Sequence, residues 1–175
     1  VQKVAPEIES SYIPHAVDPN VFQPFSVEDC TKLRKEKNLD HKFVCVWNNR
    51  NARRKQSGSL IFWFKEFLDK VGHDKAALIM HTDVKDTHGQ DLEAIIHELG
   101  LVKGEILFST VKIGAPDLAL MYNMGDVTIN ISDAEGFGLA TLESLSCGTP
   151  ILVNMTGGLQ EQVTDGENWF GIGLE

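Results

Sequence analysis

DVTINISDAEGFGLATLESLSCGTPILVN, residues 126–154, contains the alternation on which the fold prediction depends. A strand-like segment over 126–131 (DVTINI) is followed by a glycine-containing loop, an amphipathic stretch over about 138–146 and a strand-like apolar run over 150–154 (PILVN). Apolar runs of this length are typical of strands buried on both faces of a sheet. The segment therefore predicts a strand–helix–strand unit whose two strands are parallel.

The same alternation continues upstream of this segment. Five strands alternating with helices predict an α/β fold, a doubly wound parallel sheet of the Rossmann-like type, over residues 26–175. Residues 1–25 hold four of the six prolines and are expected to form an irregular lead-in segment between domains. The other predicted strands are 42–48, 76–82 and 105–109. The other predicted helices cover about 26–38, 58–71, 88–99, 116–123 and 158–164.

Charge and composition exclude several classes of protein. A net charge of −9 argues against a general binder of nucleic acid or of an anionic membrane, since both need a broad basic face. No apolar run reaches the roughly 18 to 20 residues that a membrane-spanning helix requires. Cys30, Cys45 and Cys147 are odd in number and widely spaced, which is typical of reduced thiols in a cytoplasmic protein. Because the chain starts at Val1, we expect it to be a piece of a longer protein.

The loops after the strands are where chemistry is expected, because parallel sheets bind ligands at the carboxyl ends of their strands. The first of these loops places Arg50, Arg53, Arg54 and Lys55 within six residues. A solvated run of surface charge is the alternative interpretation. Directly between a strand and a helix, however, helix N–H groups also favour an anion, so the cluster predicts a phosphate or diphosphate site.

The loop after the fourth strand contains two glycines and an acidic residue. Gly136 and Gly138 flank Phe137, so that the backbone can turn sharply and expose its N–H groups to a ligand. Glu135 lies in this loop, and Glu143 lies in the following helix, beside its apolar face. That face is marked by Leu139, Leu142 and Leu145. The alternative to ligand binding is that Glu143 is an ordinary surface residue and that Glu135 only interacts favourably with the helix dipole. The residues alone leave this alternative open.

Three further patterns were weighed as functional motifs, and none of them indicates a function by itself. GFGLAT departs from the dinucleotide fingerprint because Thr141 replaces the third glycine and the next strand ends in Asn154 rather than an acidic residue, so a dehydrogenase is excluded. The cluster HTDVKDTH (81–88) lacks a known metal-ligand spacing, and no metal is predicted. Gly157 and Gly158 form another glycine loop, which a tight turn alone also explains.

Taken in order, these elements resemble the donor-binding, C-terminal half of a retaining glycosyltransferase of GT-B architecture, family 4. The strongest match is EGFGLATLE (135–143), the family's E-x7-E element, followed by its CGTP (147–150) and TGG (156–158) segments. IPHAVDPNVFQP (13–24) is similar to the family's P-N-G-V-D-x-x-x-F-x-P segment. Arg50 and Lys55 keep the separation of its G-R-x-x-x-x-K-G element. The resemblance covers about residues 12–170.

The resemblance implies a role for each matched residue. Arg50 and Lys55 would hold the donor diphosphate and neutralise the leaving nucleotide, acting with Glu135 as catalytic residues. Glu143 would accept hydrogen bonds from the ribose hydroxyls, and the loop around Val111 would read the base. Glu135 would bind the transferred sugar together with backbone N–H groups. The remaining donor contacts would come from Gly136, Phe137, Gly138, Leu139, Gly157 and Gly158.

The resemblance also implies partners and limits. The donor is expected to be a nucleotide-diphosphate sugar, with no cofactor and no metal, and the acceptor a glycan, a lipid or a small molecule. The acceptor-binding N-terminal domain and the final crossover helix of the family are expected to lie outside these 175 residues. The fragment should therefore transfer little or nothing alone, with membrane contact only peripheral and only for a lipid-linked acceptor.

The sequence departs from the family pattern in two places that bear on donor preference. Two other functions are alternatives to that of a glycosyltransferase. Asn49 and Gln56 replace the glycines that flank the Arg/Lys element, and His15-Ala16 replaces Asn-Gly. A non-catalytic module that binds a nucleotide or sugar nucleotide is the first competitor. A sugar-nucleotide epimerase of the same architecture is the second.

Overall fold

One sheet of six parallel strands organises the computed structural model, which describes residues 3–175. In the sheet the strands lie in the order β3-β2-β1-β4-β5-β6. The predicted α/β fold with a doubly wound parallel sheet is therefore confirmed. The strands are β1 (Phe43–Asn48), β2 (Ala76–His81), β3 (Ile106–Ser109), β4 (Val127–Asn130), β5 (Ile151–Asn154) and β6 (Gly171–Leu174).

Each predicted helix is present, although α3 is shorter than predicted. It begins at Leu92 rather than near residue 88, because the preceding residues bond to the loop after β1 and Asp91 caps the helix by accepting from the Ala94 N–H. The helices are α1 (Val27–Glu36), α2 (Ser57–Val71), α3 (Leu92–Glu98), α4 (Ala115–Met124), α5 (Leu139–Ser146) and α6 (Leu159–Val163).

The helices divide between the two faces of the sheet. Cys45 and Trp47 of β1 pack with α2 and α3, whereas Val44 and Val46 point to the other face and pack with α4. α5 and α6 cover β5 on that second face through Leu145, Leu159 and Val163. Right-handed crossovers explain the division, because the chain moves one way from β1 to β3 and the opposite way from β4 to β6.

The part of the first face over β4, β5 and β6 is left open to solvent. Ile172 of β6 is 59% exposed, and Trp63 of α2 is 53% exposed beside it. Together with Phe43, Phe67 and Leu152 these side chains line an apolar groove of about 320 Å³. We call this region the open apolar face.

Two sequence predictions about elements were wrong. β6 is a sixth strand that was assigned to no element, because its GIGL sequence has too little apolar character to be read as a strand. It forms because its backbone pairs with the whole of β5. The three leucines of α5 do not mark its most deeply buried face. Leu139 is 44% exposed and Leu145 is only partly buried, whereas Thr141 and Ser144 are fully buried. Small polar side chains let this helix approach the sheet, where the Ser144 hydroxyl donates to Thr128.

The described part of the lead-in segment, residues 3–25, contains no helix or strand but packs onto the domain. Phe22 is buried among residues of β1, β2 and α4. The Phe25 N–H donates to the Asn123 side chain over 2.8 Å, and the Asn123 amide donates to the Gln23 carbonyl over 3.1 Å. The segment is thus held by both apolar and polar contacts.

Candidate active site

The loops that were predicted to carry chemistry meet at one edge of the sheet, because all six strands are parallel. Each of the first five strands ends there in a polar residue, which exposes hydrogen-bonding groups instead of apolar side chains. These residues are Asn48, His81, Ser109, Asn130 and Asn154. The edge is therefore a polar surface above an apolar sheet.

A buried ion pair joins the loop after β1 to the loop after β4. Lys55 ends a one-turn 3-10 helix over Arg53–Lys55, and its ammonium group bonds to the Glu135 carboxylate. Only 7% of the Lys55 side chain and 13% of the Glu135 side chain are exposed. Burial lowers the pKa of Lys55, and Glu135 opposes that shift. The structure thus brings two of the predicted catalytic residues into contact.

Further bonds hold these two loops together. The Asp133 N–H donates to the Arg54 carbonyl over 2.8 Å, and the Gln56 amide donates to both oxygens of the Asp133 carboxylate. The Arg54 guanidinium donates to the Ala134 carbonyl over 2.6 Å and lies 3.9 Å from the Glu135 carboxylate. Arg54 and Lys55 therefore both reach the acidic loop after β4.

The backbone of the glycine loop is shaped by close contacts with the loop after β5. Gly138 has a φ of +88°, which strongly favours glycine at this position. A Cβ atom at Gly157 would lie 1.8 Å from the Glu135 carbonyl oxygen, and the Gly158 N–H donates to the Gly136 carbonyl. Packing therefore accounts for Gly157 and Gly158, and their contact with a donor stays a prediction.

Gly136 differs from its neighbours because no atom of the protein within residues 3–175 lies within 4 Å of a Cβ built on it. Its bare backbone borders open space, as close approach of a ligand requires. Beside it, the ring of Phe137 meets the ring of His15 edge to face, with centroids 5.0 Å apart. The lead-in segment thus reaches the rim of the site.

Glu143 lies at the same edge, on the first turns of α5. Its carboxylate accepts a hydrogen bond of 2.7 Å from the Tyr122 hydroxyl, which in turn accepts one of 2.8 Å from the Asn48 side chain. Burial raises the pKa of Glu143, and the Tyr122 hydrogen bond opposes the shift. Tyr122 is completely buried, so Glu143 is oriented from the protein side and half-buried rather than a free surface residue.

Arg50 is directed to a different loop from Lys55. Its guanidinium forms two hydrogen bonds of 2.6 and 3.1 Å with the Asp86 carboxylate, after β2. Arg50 strongly lowers the pKa of Asp86 through these bonds. The Arg50 side chain is 61% exposed. The structure therefore does not bring Arg50 against Glu135, although both predicted cations lie at the same edge.

A polar cleft of about 300 Å³ continues the site along the ends of β1, β2 and β3. Arg50 lies at its wall, and His81 bonds to the Ser109 hydroxyl over 2.9 Å. Val111, predicted in the loop that reads the base, is 73% exposed, while its neighbours Thr110 and Lys112 line the cleft. The predicted base loop thus borders a cavity that adjoins Asn48.

Two kinds of feature are absent from residues 3–175. No group of three or more His, Cys, Asp or Glu side chains is placed to hold a metal ion. None of the helices combines the length and the apolar character needed to cross a membrane.

Sequence reasoning missed Tyr122, Asn48 and the pairing of Arg50 with Asp86. The sequence did contain a signal for Asn48, because a polar residue at the carboxyl end of a buried parallel strand lies at the edge where ligands bind. Tyr122 carried none, since its contact with Glu143 joins two helices across 21 residues of sequence. Asp86 was considered only within the cluster 81–88, for which no metal was predicted, and in the structure its carboxylate accepts from Arg50.

The fold is that of a glycosyltransferase domain of GT-B type. The model of the family "Glycosyl transferases group 1" matches residues 31–172, and the chain belongs to that family. A D-inositol 3-phosphate glycosyltransferase of Corynebacterium jeikeium is 27% identical over 164 residues, covering 89% of this chain and 38% of the relative. The corresponding enzyme of Acidothermus cellulolyticus is 38% identical over 85 residues, covering 48% of this chain and 18% of the relative.

Solved structures share the fold. Anabaena Alr3699/HepE in complex with UDP-glucose superposes with a TM-score of 0.73 at 23% identity, covering 90% of this chain and 41% of that one. The C-terminal domain of LpcC, a glycosyl transferase group 1 family protein from Francisella tularensis, gives a TM-score of 0.74 at 22% identity, with 91% and 80% covered. The chain spans less than two fifths of the curated relatives named above.

Proposed function

We propose that this chain is the donor-binding domain of a retaining, metal-independent glycosyltransferase of family 4, which transfers a hexose from a nucleotide-diphosphate sugar. The observation that carries the proposal is the Lys55–Glu135 ion pair beside the glycine loop, at the same edge as the oriented carboxylate of Glu143. The UDP-glucose bound by Anabaena HepE, which shares the fold, supports a donor of this class. The acceptor domain of the full-length chain and a cytoplasmic location stay predictions.

In this proposal, each part of the edge binds one part of the donor. Lys55 and Arg50 neutralise the diphosphate, Glu143 accepts from the ribose hydroxyls, and the loop around Val111 contacts the base. Glu135 accepts from the sugar hydroxyls, and N–H groups of the glycine loop donate to the phosphate. The acceptor oxygen then bonds to the anomeric carbon as the bond from that carbon to the leaving phosphate oxygen breaks. The leaving phosphate takes the acceptor proton.

Calorimetric titration of this chain with UDP, GDP and ADP tests the proposal, with NAD as a control. Saturable binding of one diphosphate, with no heat from NAD, is the expected result. Glu143→Ala should weaken that binding by about 1 to 3 kcal/mol, because the ribose loses a charged acceptor. Glu161→Ala is a matched control, since Glu161 is exposed on α6. Absence of binding by all three diphosphates would contradict a donor site in this chain.

A non-catalytic nucleotide-binding module is the second candidate. Arg50 is exposed and paired with Asp86 instead of with Glu135, which favours a binding module. The contact of Lys55 with Glu135 and the oriented carboxylate of Glu143 favour the enzyme. Product analysis of the full-length protein with the nucleotide sugar that binds separates the two candidates. A transferred glycoside is expected for the enzyme, an epimerised nucleotide sugar for an epimerase, and no product for a binding module.

A further inference from the structure

A buried glutamine of α6 contacts the glycine loop from the side opposite the candidate site. The Gln162 amide nitrogen donates to the Phe137 carbonyl over 2.6 Å and to the Gly138 carbonyl over 3.2 Å. Its amide oxygen lies 2.6 Å from the Thr141 hydroxyl, whose single proton also has the Gly138 carbonyl as an acceptor at 2.7 Å. Reversing the amide would bring two oxygen atoms to 2.6 Å from one another, so the contacts determine its orientation.

These contacts determine where the loop N–H groups point. In a trans peptide the N–H points opposite to the C=O of the same peptide. The carbonyls of Phe137 and Gly138 face Gln162, so the N–H groups of Gly138 and Leu139 are directed away from α6. Neither N–H donates a hydrogen bond to any of residues 3–175. Both N–H groups are therefore free to donate to an acceptor from outside the chain.

We propose that Gln162 is a positioning residue. It holds the glycine loop so that the Gly138 and Leu139 N–H groups face the donor phosphate. The inference rests on the proposed function and adds a residue outside the motifs of the family resemblance. Thr141 contributes to the same set of contacts, because it is completely buried and lies against the Gln162 amide oxygen. The pair therefore acts through the loop backbone and touches no ligand.

Gln162→Glu tests the role with almost no change of shape. The introduced carboxylate would face two carbonyl oxygens and repel both, whereas the protonated carboxyl could again donate one hydrogen bond. Affinity for UDP, GDP or ADP, whichever binds the parent, should fall by about tenfold near pH 8 and recover near pH 5.5. Each value is taken relative to the parent at the same pH.

Gln160→Glu is the matched control, because it adds the same charge two residues away on the exposed side of α6. It should leave the affinity and its pH dependence unchanged. Gln162→Glu binding as tightly as the parent at both pH values would overturn the positioning role. A tenfold loss that is the same at both pH values and accompanies a lower melting temperature would also overturn it, since that is the result of general destabilisation.

A ligand-free readout separates this inference from the proposed function. In Gln162→Glu the amide NMR signals of residues 137–139 should shift as the introduced carboxyl titrates, and in Gln160→Glu they should not. Absence of that shift overturns the inference whether or not a nucleotide binds. If the signals shift but the parent binds none of the three diphosphates, the donor site is contradicted while the contact between Gln162 and the loop is supported.

Discussion

Lys55 and Glu135 form a buried ion pair in which each charge is compensated mainly by the other, and the Arg54 guanidinium lies 3.9 Å from the Glu135 carboxylate. Removing one partner of a buried pair leaves an uncompensated charge, which costs more than the pair contributes. Lys55→Met should therefore lower the free energy of unfolding by about 3 to 5 kcal/mol. Urea denaturation measures this change.

The matched variant is Lys55→Met/Glu135→Gln, in which neither charge is present. It should regain most of the lost stability while nucleotide binding stays lost, since the cation that would face the diphosphate is still missing. Arg53→Met controls for the loss of one positive charge, because Arg53 is exposed in the same one-turn helix. A single variant as stable as the parent would contradict the picture of a coupled pair.

At the scale of elements, α1 is unusual because it has no fully buried residue. Its Arg34 guanidinium instead forms two hydrogen bonds with the Asp126 carboxylate, which also accepts from the Val44 N–H. Arg34→Met should therefore release α1, so that its amide protons exchange several times faster while those of α2 do not change. Hydrogen exchange with mass spectrometry measures this, with the exposed Lys32→Met as control. Equal exchange in α1 of both variants would show that the ion pair does not hold the helix.

The end of α2 is connected to the start of β3 by a histidine between two carboxylates. His73 lies 3.0 Å from Asp69 and 3.1 Å from Glu105, and these hydrogen bonds raise the pKa of His73. The stabilisation that charged His73 provides is fully present below pH about 6.5, the ordinary pKa of a histidine. It is lost as the pH rises through the raised pKa of His73 in the folded protein.

The melting temperature of the parent should thus exceed that of His73→Gln by more at about pH 5.5 than at about pH 9. Thermal unfolding followed by circular dichroism measures the difference. Asp69→Asn, which removes one of the two carboxylates, should reduce the advantage at low pH. The same difference at both pH values would contradict a raised pKa of His73 in the folded protein.

The sequence predicted elements better than contacts, for a physical reason. Buried parallel strands are continuous apolar runs, so β1 to β5 could be placed within a residue or two of their observed ends. β6 could not, because its stability comes from pairing with β5 and not from its own side chains. The Glu143–Tyr122 and Arg50–Asp86 contacts depend on how separate loops and helices meet, which no local pattern encodes.

At the scale of the whole molecule, the open apolar face is a contiguous region of exposed apolar side chains. Exposed apolar groups in one contiguous region favour association and the binding of apolar dyes. The native chain should increase the fluorescence of anilinonaphthalene sulfonate, and Trp63→Lys/Ile172→Lys should reduce that increase severalfold. Val4→Lys/Val102→Lys is the control, since both of these valines are exposed elsewhere. An increase that both double variants share would place the dye at another part of the surface.

The three tryptophans differ in their surroundings, with Trp47 fully enclosed and Trp63 and Trp169 more than half exposed. An enclosed indole emits at shorter wavelength than an indole in water, and a water-soluble quencher such as acrylamide silences the exposed rings first. The emission that survives quenching therefore comes from Trp47, whose neighbour in the chain is Asn48. The protein thus carries an optical reporter beside the edge that we propose binds the donor, and the proposed binding can be tested there without a label.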